Sequence, residues 1–282
     1  MRYGYSDPTT RLTQHQFVRA TLTPEGPGTV HLRWGSSTDL QPVVHTYGPG
    51  GDWLAEMVPA MCGQLDEPVP LVDAHPVLMA AQERHGVPVI GASGSPYHDV
   101  LPIILGQRIT AGEAVRQWAA LVRRLGEPAP GPFDGLRLPP APQRLAALPS
   151  WWFHPLGIEA KRANALKAAA SHGSRLIDLA HHSVTEAGRV LRLIPGVGAW
   201  SVGSVLGVSH GDPDAIAVGD YHLKNLVVHA LTGAPRGTDE QMLQLLAPYA
   251  GQRGRAVRLL QLDGHRPPSF GPRQRILPMS RW

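Results

Sequence analysis

The chain has 282 residues, a formal net charge of +4 and a hydrophobic fraction of 43%, values that suit one large or two modest globular domains with a buried core. No apolar run reaches the roughly 18 residues that a membrane-spanning helix needs, and residues 1–8 lack the apolar stretch of a secretory signal. The single cysteine, Cys62, excludes an internal disulfide, a four-cysteine zinc site and a four-cysteine iron–sulfur cluster. We therefore expect a cytoplasmic protein with no membrane partner.

The first third of the chain is predicted to combine short strands with a helix. Runs rich in strand-forming residues at 16–22 and 29–34 flank a turn rich in proline and glycine, and residues 43–47 are a candidate third strand. Residues 52–65 then carry apolar side chains at helical spacing. The sequence predicts a small α+β domain over residues 1–92.

From residue 93 onward the pattern is helical. A compact apolar helix is predicted over residues 97–107, and a loop rich in proline and glycine separates the early helices from the later ones. Capping boxes, in which a Ser or Thr is followed three residues later by Glu or Gln, mark helix starts at Thr110, Ser183 and Thr238. The predicted fold class is mostly α, with a helical bundle over residues 93–265 and a basic tail over residues 266–282.

The last thirty residues are strongly cationic. The arginines are Arg253, Arg255, Arg258, Arg266, Arg273, Arg275 and Arg281. A solvated tail and a surface that contacts phosphates are both compatible with this pattern. The sequence pI of about 9.5 is likewise compatible with a polyanionic partner but does not require one.

A glycine-rich connection, Pro195-Gly196-Val197-Gly198, joins two predicted helices. The proline ends the first helix, and the two glycines let the backbone turn without a Cβ clash. The second helix then begins with unpaired N–H groups and the positive end of its dipole, which together suit a phosphate group. The segment predicts a site that binds the backbone of one DNA strand whatever the base sequence of the DNA. A plain tight turn between packed helices is the alternative interpretation.

An acidic residue, Asp220, follows a loop rich in Gly, Pro and Asp and stands at the start of a predicted helix. Taken by itself, Asp220 is readily explained as a helix cap, since Asp is a favoured N-cap residue. Its position after the hairpin gives it a second interpretation.

The hairpin, the loop and Asp220 together resemble the signature of the helix-hairpin-helix DNA glycosylases, most closely the bacterial 3-methyladenine DNA glycosylases of the AlkA type. Residues 104–110 resemble the segment of that family whose turn wedges into the duplex. Residues 156–163 resemble its Leu-Gly…Lys-Arg-Ala run before the hairpin. The resemblance covers roughly residues 93–265. It implies a monofunctional enzyme of base excision repair that flips a damaged, alkylated base from duplex DNA and leaves an abasic site.

The resemblance implies a role for each matching residue. Asp220 is the expected catalytic carboxylate, which stabilises positive charge on the deoxyribose as the N-glycosidic bond breaks. Trp200 is expected to stack on the extruded base, with packing in the core as the alternative, and Tyr221 to line the pocket or support the helix. Bifunctional relatives carry a nucleophilic lysine at the position of Trp200, so we expect no lyase activity.

Other predicted positions concern the duplex and the base pocket. Gln107 and Arg108 stand where the family places its wedge, and an arginine there is suited to filling the stack, pairing with the orphan base or binding phosphate. Ser204 and Gln261 stand where alkylbase relatives often carry aromatic residues, which predicts a more polar pocket. The resemblance also implies backbone contacts from Gly196 and Gly198 to DNA and a monovalent cation at the hairpin carbonyls, with no catalytic metal and no cofactor.

Two further functions stay open at this stage. The polar substitutions favour a glycosylase for deaminated, oxidised or otherwise modified bases, and a non-catalytic DNA-binding protein is the other alternative. In all three cases we expect a monomer that binds double-stranded DNA, in the cytoplasm and associated with the nucleoid.

Overall fold

The computed structural model describes residues 1–35 and 41–268. The described residues form two compact units, each assembled from two separate stretches of sequence. Unit 1 comprises Met1–Pro59 and Ser93–Val197, and unit 2 comprises Ala60–Ala92 and the described residues from 198 to 268. The division into domains 1–92, 93–265 and 266–282 stays a prediction. Most of that basic tail, including Arg273, Arg275 and Arg281, lies outside the described residues.

The described part of unit 1 contains one antiparallel sheet of four strands in the order β1-β2-β3-β4. The strands are β1 (Thr10–Leu12), β2 (Gln16–Thr23), β3 (Gly26–Arg33) and β4 (Val43–Tyr47). The last three of them confirm the strands predicted from the sequence. The first is a short edge strand that the sequence did not predict, because three residues carry too little alternation to stand out.

Helices make up most of the rest of the described chain. They are α1 (Gly51–Met61), α2 (Pro76–His85), α3 (Pro96–Leu105), α4 (Ala111–Leu125), α5 (Pro142–Ala146), α6 (Ala160–Ser171), α7 (Gly173–Asp178), α8 (Val184–Arg192), α9 (Ala199–Ser209), α10 (Tyr221–Thr232), α11 (Asp239–Leu246) and α12 (Arg253–Leu262). Short 3₁₀ helices cover Ser150–Leu156, Leu179–His181 and Ala247–Tyr249. The fold class predicted from the sequence, mostly α with a small α+β part at the N-terminus, is confirmed. Within the described ranges, no helix has both the length and the apolar character needed to cross a membrane.

Helix starts follow the predicted caps. At Thr238 both halves of the capping box form with Gln241. At Thr110 and Ser183 the structure shows the half in which the hydroxyl oxygen accepts a hydrogen bond from a first-turn N–H group. Helix α1 ends at Met61, four residues before the predicted end, and Gly63 follows it with a left-handed φ of +73°.

In unit 1, buried polar residues fasten α3 to the sheet. The guanidinium of Arg19 on β2 lies 2.8 Å from the carboxylate of Asp99 on α3, and both side chains are fully buried. The neighbouring His98 contacts the hydroxyls of Thr9 and Thr21 through its two ring nitrogens, at 3.1 and 3.0 Å. Burial and the Arg19 charge hold the pKa of His98 well below its usual range, so the ring stays neutral. The first turn of α3 is thereby held against the sheet.

In unit 2, α2, α10, α11 and α12 pack around one apolar core. Its fully buried members include Leu78, Val227, Met242, Leu246 and Leu260. This core holds the start of α10, and with it Asp220, on a rigid support.

Candidate functional site

The hairpin follows α8 and ends where α9 begins. Pro195, Gly196 and Gly198 are exposed, whereas Ile194 and Val197 are buried. The N–H group of Val197 donates a hydrogen bond of 3.0 Å to the carbonyl of Ile194, which closes the turn. The buried pair anchors the hairpin and leaves Pro195, Gly196 and Gly198 at the surface, whereas Val197, which the sequence grouped with them, is buried.

The two glycines of the hairpin differ in backbone conformation and in their surroundings. Gly196 has a φ of +88°, and a Cβ there would lie 2.7 Å from Cβ of Ala165 on α6. A Cβ on Gly198 would meet no atom within 4 Å. The first intrahelical bond of α9 runs from the N–H of Val202 to the carbonyl of Gly198, at 2.9 Å. The open space beside Gly198, at the positive end of the α9 dipole, suits the approach of an anion.

Residues 106–108 form the turn that the sequence assigned to the duplex wedge. The side-chain amide of Gln107 donates a hydrogen bond of 2.8 Å to the carbonyl of Gly196, so this residue ties the turn to the hairpin. Arg108 is exposed and has a left-handed φ of +59°. A non-glycine residue in that region is uncommon and costs about 1–2 kcal/mol, and such residues cluster at functional sites.

A buried arginine supports the same turn, in a role that sequence reasoning missed. The guanidinium of Arg162 donates hydrogen bonds to the carbonyl of Leu105, at 2.8 Å, and to the side chain of Gln117, at 2.6 Å. Burial lowers the pKa of Arg162 from its usual value, and the nearby Glu159 opposes this shift. The Lys-Arg-Ala run was the available signal, because an arginine on the buried face of a helix must find acceptors.

The hairpin carbonyls bear on the predicted monovalent cation. The carbonyl of Ile194 accepts the N–H of Val197, and the carbonyl of Gly196 accepts the amide of Gln107. These two oxygens are already hydrogen-bonded within the chain and give no support for a bound cation, which stays a prediction. Within residues 1–35 and 41–268, no cluster of three or more His, Cys, Asp or Glu side chains is arranged to hold a metal ion.

Asp220 is the N-cap residue of α10, at the position predicted from the sequence. Its Oδ1 accepts the backbone N–H groups of His222 and Leu223, each at 2.8 Å. Its Oδ2 accepts the indole Nε1–H of Trp200 on α9, at 3.0 Å. Three donors therefore fix the orientation of a partly buried carboxylate at the positive end of a helix.

The backbone before Asp220 is held by a residue that the sequence did not single out. The N–H group of Gly219 donates a hydrogen bond of 3.0 Å to Oδ1 of Asp239, the first residue of α11. The ammonium group of Lys224 lies 3.3 Å from Oδ2 of the same carboxylate. The capping box at Thr238 had marked this helix start, but nothing local linked it to Asp220.

The remaining predicted pocket residues differ in how closely the structure joins them to Asp220. The hydroxyl of Ser204 donates a hydrogen bond of 2.7 Å to the carbonyl of Trp200, one turn earlier on α9. Tyr221 follows Asp220 directly, is 67% exposed, and packs edge to face with His222 at a ring distance of 5.1 Å. Gln261 is an exposed residue of α12, and no hydrogen bond within the described chain links it to Trp200 or Asp220.

Comparison with known proteins gives similarity in structure alone. No family model matches the chain, and no curated protein sequence matches it. A 3-methyladenine DNA glycosylase from Archaeoglobus fulgidus aligns with a TM-score of 0.72 and 17% identity, over 92% of this chain and 91% of that one. An 8-oxoguanine glycosylase/lyase from Clostridium acetobutylicum, solved with double-stranded DNA, aligns with a TM-score of 0.62 and 12% identity, over 92% and 89%. The 3-methyladenine DNA glycosylase Mag1 from Schizosaccharomyces pombe, solved with abasic DNA, aligns with a TM-score of 0.51 and 16% identity, over 76% and 90%. The chain has the fold of the helix-hairpin-helix DNA glycosylases.

Proposed function

We propose that the protein is a DNA glycosylase that hydrolyses the N-glycosidic bond of a damaged base in duplex DNA and leaves an abasic site. The observation that carries the proposal is the Asp220 carboxylate, held by three N–H donors at the start of α10 in a chain with the glycosylase fold. The similar protein from Archaeoglobus fulgidus is a 3-methyladenine DNA glycosylase, which supports the same reaction class here. We propose that the enzyme acts as a monomer in the cytoplasm, at the nucleoid.

The proposed chemistry uses the fixed charge of Asp220. As the bond to the base breaks, positive charge develops on the deoxyribose, and a carboxylate held nearby stabilises that state without having to reorganise. A carboxylate has about four lone-pair positions, and Trp200, His222 and Leu223 occupy three of them. One acceptor position is left for the sugar or for the attacking water.

The hairpin and the wedge turn account for how the enzyme would hold DNA. The exposed glycines and the start of α9 bind a phosphate group of one strand, and Arg108 fills the gap that the extruded nucleotide leaves in the stack. Extrusion costs roughly a few kcal/mol and is cheapest for a damaged base, which favours damaged sites. The tie between Gln107 and Gly196 supports this arrangement, since it fixes the wedge turn and the hairpin in one geometry.

We propose that the enzyme is monofunctional. The chain has three lysines, Lys161, Lys167 and Lys224, and Trp200 occupies the hairpin position at which bifunctional relatives carry their nucleophile. Lys224 is engaged by Asp239 at 3.3 Å, which makes it a poor candidate for a Schiff base. Incubation with borohydride during turnover is therefore expected to trap no covalent adduct on DNA.

Alkylated purines are the proposed substrate class. The ring of Trp200 is suited to stacking on an extruded base, and a cationic purine gains about 0.5–2 kcal/mol there from cation–π attraction. Ser204 favours a second candidate. Its proton is committed to the carbonyl of Trp200, but its oxygen still accepts, and an acceptor suits the N–H groups of deaminated or oxidised bases.

A substrate panel tests the proposal. Duplex oligonucleotides carrying 3-methyladenine, 7-methylguanine, hypoxanthine, 8-oxoguanine or uracil are incubated with the protein and then treated with alkali. Strand cleavage that needs the alkali identifies a monofunctional glycosylase, and the cleaved oligonucleotide identifies the base class. Cleavage without alkali contradicts the monofunctional assignment. Release of none of these bases leaves DNA binding without catalysis as the better account.

A further inference from the structure

We propose that Asp239 is a positioning residue for Asp220. Asp239 fixes the peptide unit that precedes Asp220, and Lys224 in turn holds the side chain of Asp239 in place. The inference rests on the proposed function of Asp220. Asp239 does not touch the reacting atoms in this account, because its two oxygens are directed to Gly219 and Lys224.

The backbone that leads into Asp220 depends on side-chain support. Gly219 has a left-handed φ of +92°, and a Cβ there would meet no atom within 4 Å, so glycine serves the backbone conformation and not the packing. Its N–H group is bound by Oδ1 of Asp239, at 3.0 Å, and the N–H of Asp220 donates to the carbonyl of Ala217, at 3.1 Å. The bond to Asp239 therefore selects one conformation of a residue that is intrinsically free to adopt many.

Asp239 is itself held by the start of α11 and by α10. The capping box between Thr238 and Gln241 fixes the first turn of α11, where Asp239 lies. Lys224, one turn after Asp220 on α10, reaches Oδ2 of Asp239, and the two side chains are 25% and 24% exposed. The carboxylate thus connects the residue before Asp220 with the first turn of the helix that Asp220 caps.

A role limited to stability does not explain this geometry well. The contact between α10 and α11 is made by the buried apolar core of unit 2, including Val227 and Met242. An ion pair that is about a quarter exposed adds little to such a core. A shift of the Asp220 carboxylate by about 1 Å, in contrast, is enough to cost up to about 100-fold in rate.

Four variants separate the contacts of Asp239. In Asp239→Ala both contacts are lost, and we expect the single-turnover rate of base release to fall about 10- to 100-fold, with the Kd for DNA unchanged. Asp239→Asn keeps an acceptor for Gly219 and is expected to retain most of the rate. Lys224→Met removes only the ion pair that holds Asp239 and is expected to lower the rate less than Asp239→Ala does. The matched control Glu240→Ala removes the neighbouring exposed carboxylate and should leave the rate unchanged. Thermal unfolding of each variant is recorded alongside.

A full rate in Asp239→Ala overturns the proposal. So does a loss of rate that Asp239→Asn fails to rescue, or one that simply follows the loss of thermal stability across the four variants.

A second readout does not need catalysis. The indole N–H of Trp200 reports directly on the carboxylate it binds, and among the seven tryptophans its ¹H–¹⁵N signal is assigned by its absence from Trp200→Phe. We expect Asp239→Ala to shift or broaden that signal, and Asp239→Asn and Glu240→Ala to leave it in place. If the wild type releases no base, the proposed function fails. The indole signal of Trp200 then still shows whether Asp239 positions the Asp220 carboxylate. An unmoved signal in Asp239→Ala contradicts the positioning role even in an active enzyme.

Discussion

The indole Nε1–H of Trp200 donates a hydrogen bond of 3.0 Å to Oδ2 of Asp220. Trp200 stands one helix away from the carboxylate in sequence, at the second position of α9, and is only partly buried. The sequence suggested either stacking on a base or packing in the core. The structure adds a polar contact through the edge of the ring. This contact does not use the face of the ring, which is the part that stacking on a base would need.

Trp200→Phe removes the N–H donor and keeps an aromatic face. Because a hydrogen bond to a charged group contributes about 1.5–3 kcal/mol, we expect base release to slow by about 10-fold or more, with little change in the Kd for the damaged duplex. Trp200→Leu removes the donor and the ring, and should weaken substrate binding as well. A Trp200→Phe variant that is as fast as the wild type in single-turnover assays would show that the contact is incidental.

Asp220→Ser separates capping from catalysis. Serine is about as good an N-cap residue as aspartate, whereas alanine at this position costs about 1 kcal/mol. We expect Asp220→Ser to unfold near the wild-type denaturant midpoint and to lose base release by at least about 100-fold, while Asp220→Ala loses both stability and activity. Retention of activity in Asp220→Ser would favour the interpretation of Asp220 as a cap alone.

The two hairpin glycines are predicted to respond differently to the same substitution. Gly196→Ala combines an unfavourable φ of +88° with a Cβ 2.7 Å from Ala165, so we expect a loss of about 1–3 kcal/mol in the free energy of unfolding. Gly198→Ala has space and an ordinary backbone conformation, and should fold normally but weaken DNA binding by crowding the phosphate. Urea unfolding and a DNA titration distinguish the two. An unchanged Kd for DNA in Gly198→Ala would argue against the phosphate site at Gly198.

Arg108 is predicted to lower the free energy of unfolding and to increase the rate of base release. Its left-handed conformation suits glycine, so Arg108→Gly should raise the free energy of unfolding by about 1 kcal/mol. The same variant should release bases more slowly, because nothing fills the stack behind the extruded nucleotide. Arg108→Ala is the control, since it loses the side chain and keeps the unfavourable φ. If Arg108→Gly matches the wild type in base release, the wedge lies elsewhere.

Features of the fold and site that depend on neighbouring residues could be predicted from the sequence, whereas those that depend on residues far apart in the chain could not. Local signals were sufficient for the three longer strands, for the capping box at Thr238, for the hairpin and for Asp220 at the start of α10. Edge strand β1 was missed because it is defined by pairing with β2 and not by its own three residues. Helix α2 was not predicted, and the grouping of Ala60–Ala92 with the C-terminal part of the chain leaves no mark in local composition.

The contacts that complete the candidate site are long-range. Asp220 and Trp200 are hydrogen-bonded although they lie 20 positions apart in the chain, and the same separation holds for Gly219 and Asp239. The hydrogen bond between Arg162 and Leu105 joins residues 57 positions apart. Each pairing is produced by packing between elements, for which spacing along the sequence gives no rule. Residue type still carried partial information, since a buried arginine and a first-turn aspartate both require partners.

Base release by the wild type and by Asp220→Asn, measured side by side on duplexes with a single damaged base, tests the central claim most directly. DNA binding and thermal unfolding are recorded for both proteins. The account predicts alkali-labile sites with the wild type and at least about 100-fold fewer with the variant, at similar affinity and stability. Equal release by the two proteins would contradict the assignment of Asp220 as the catalytic carboxylate, and no release by either would contradict the glycosylase itself.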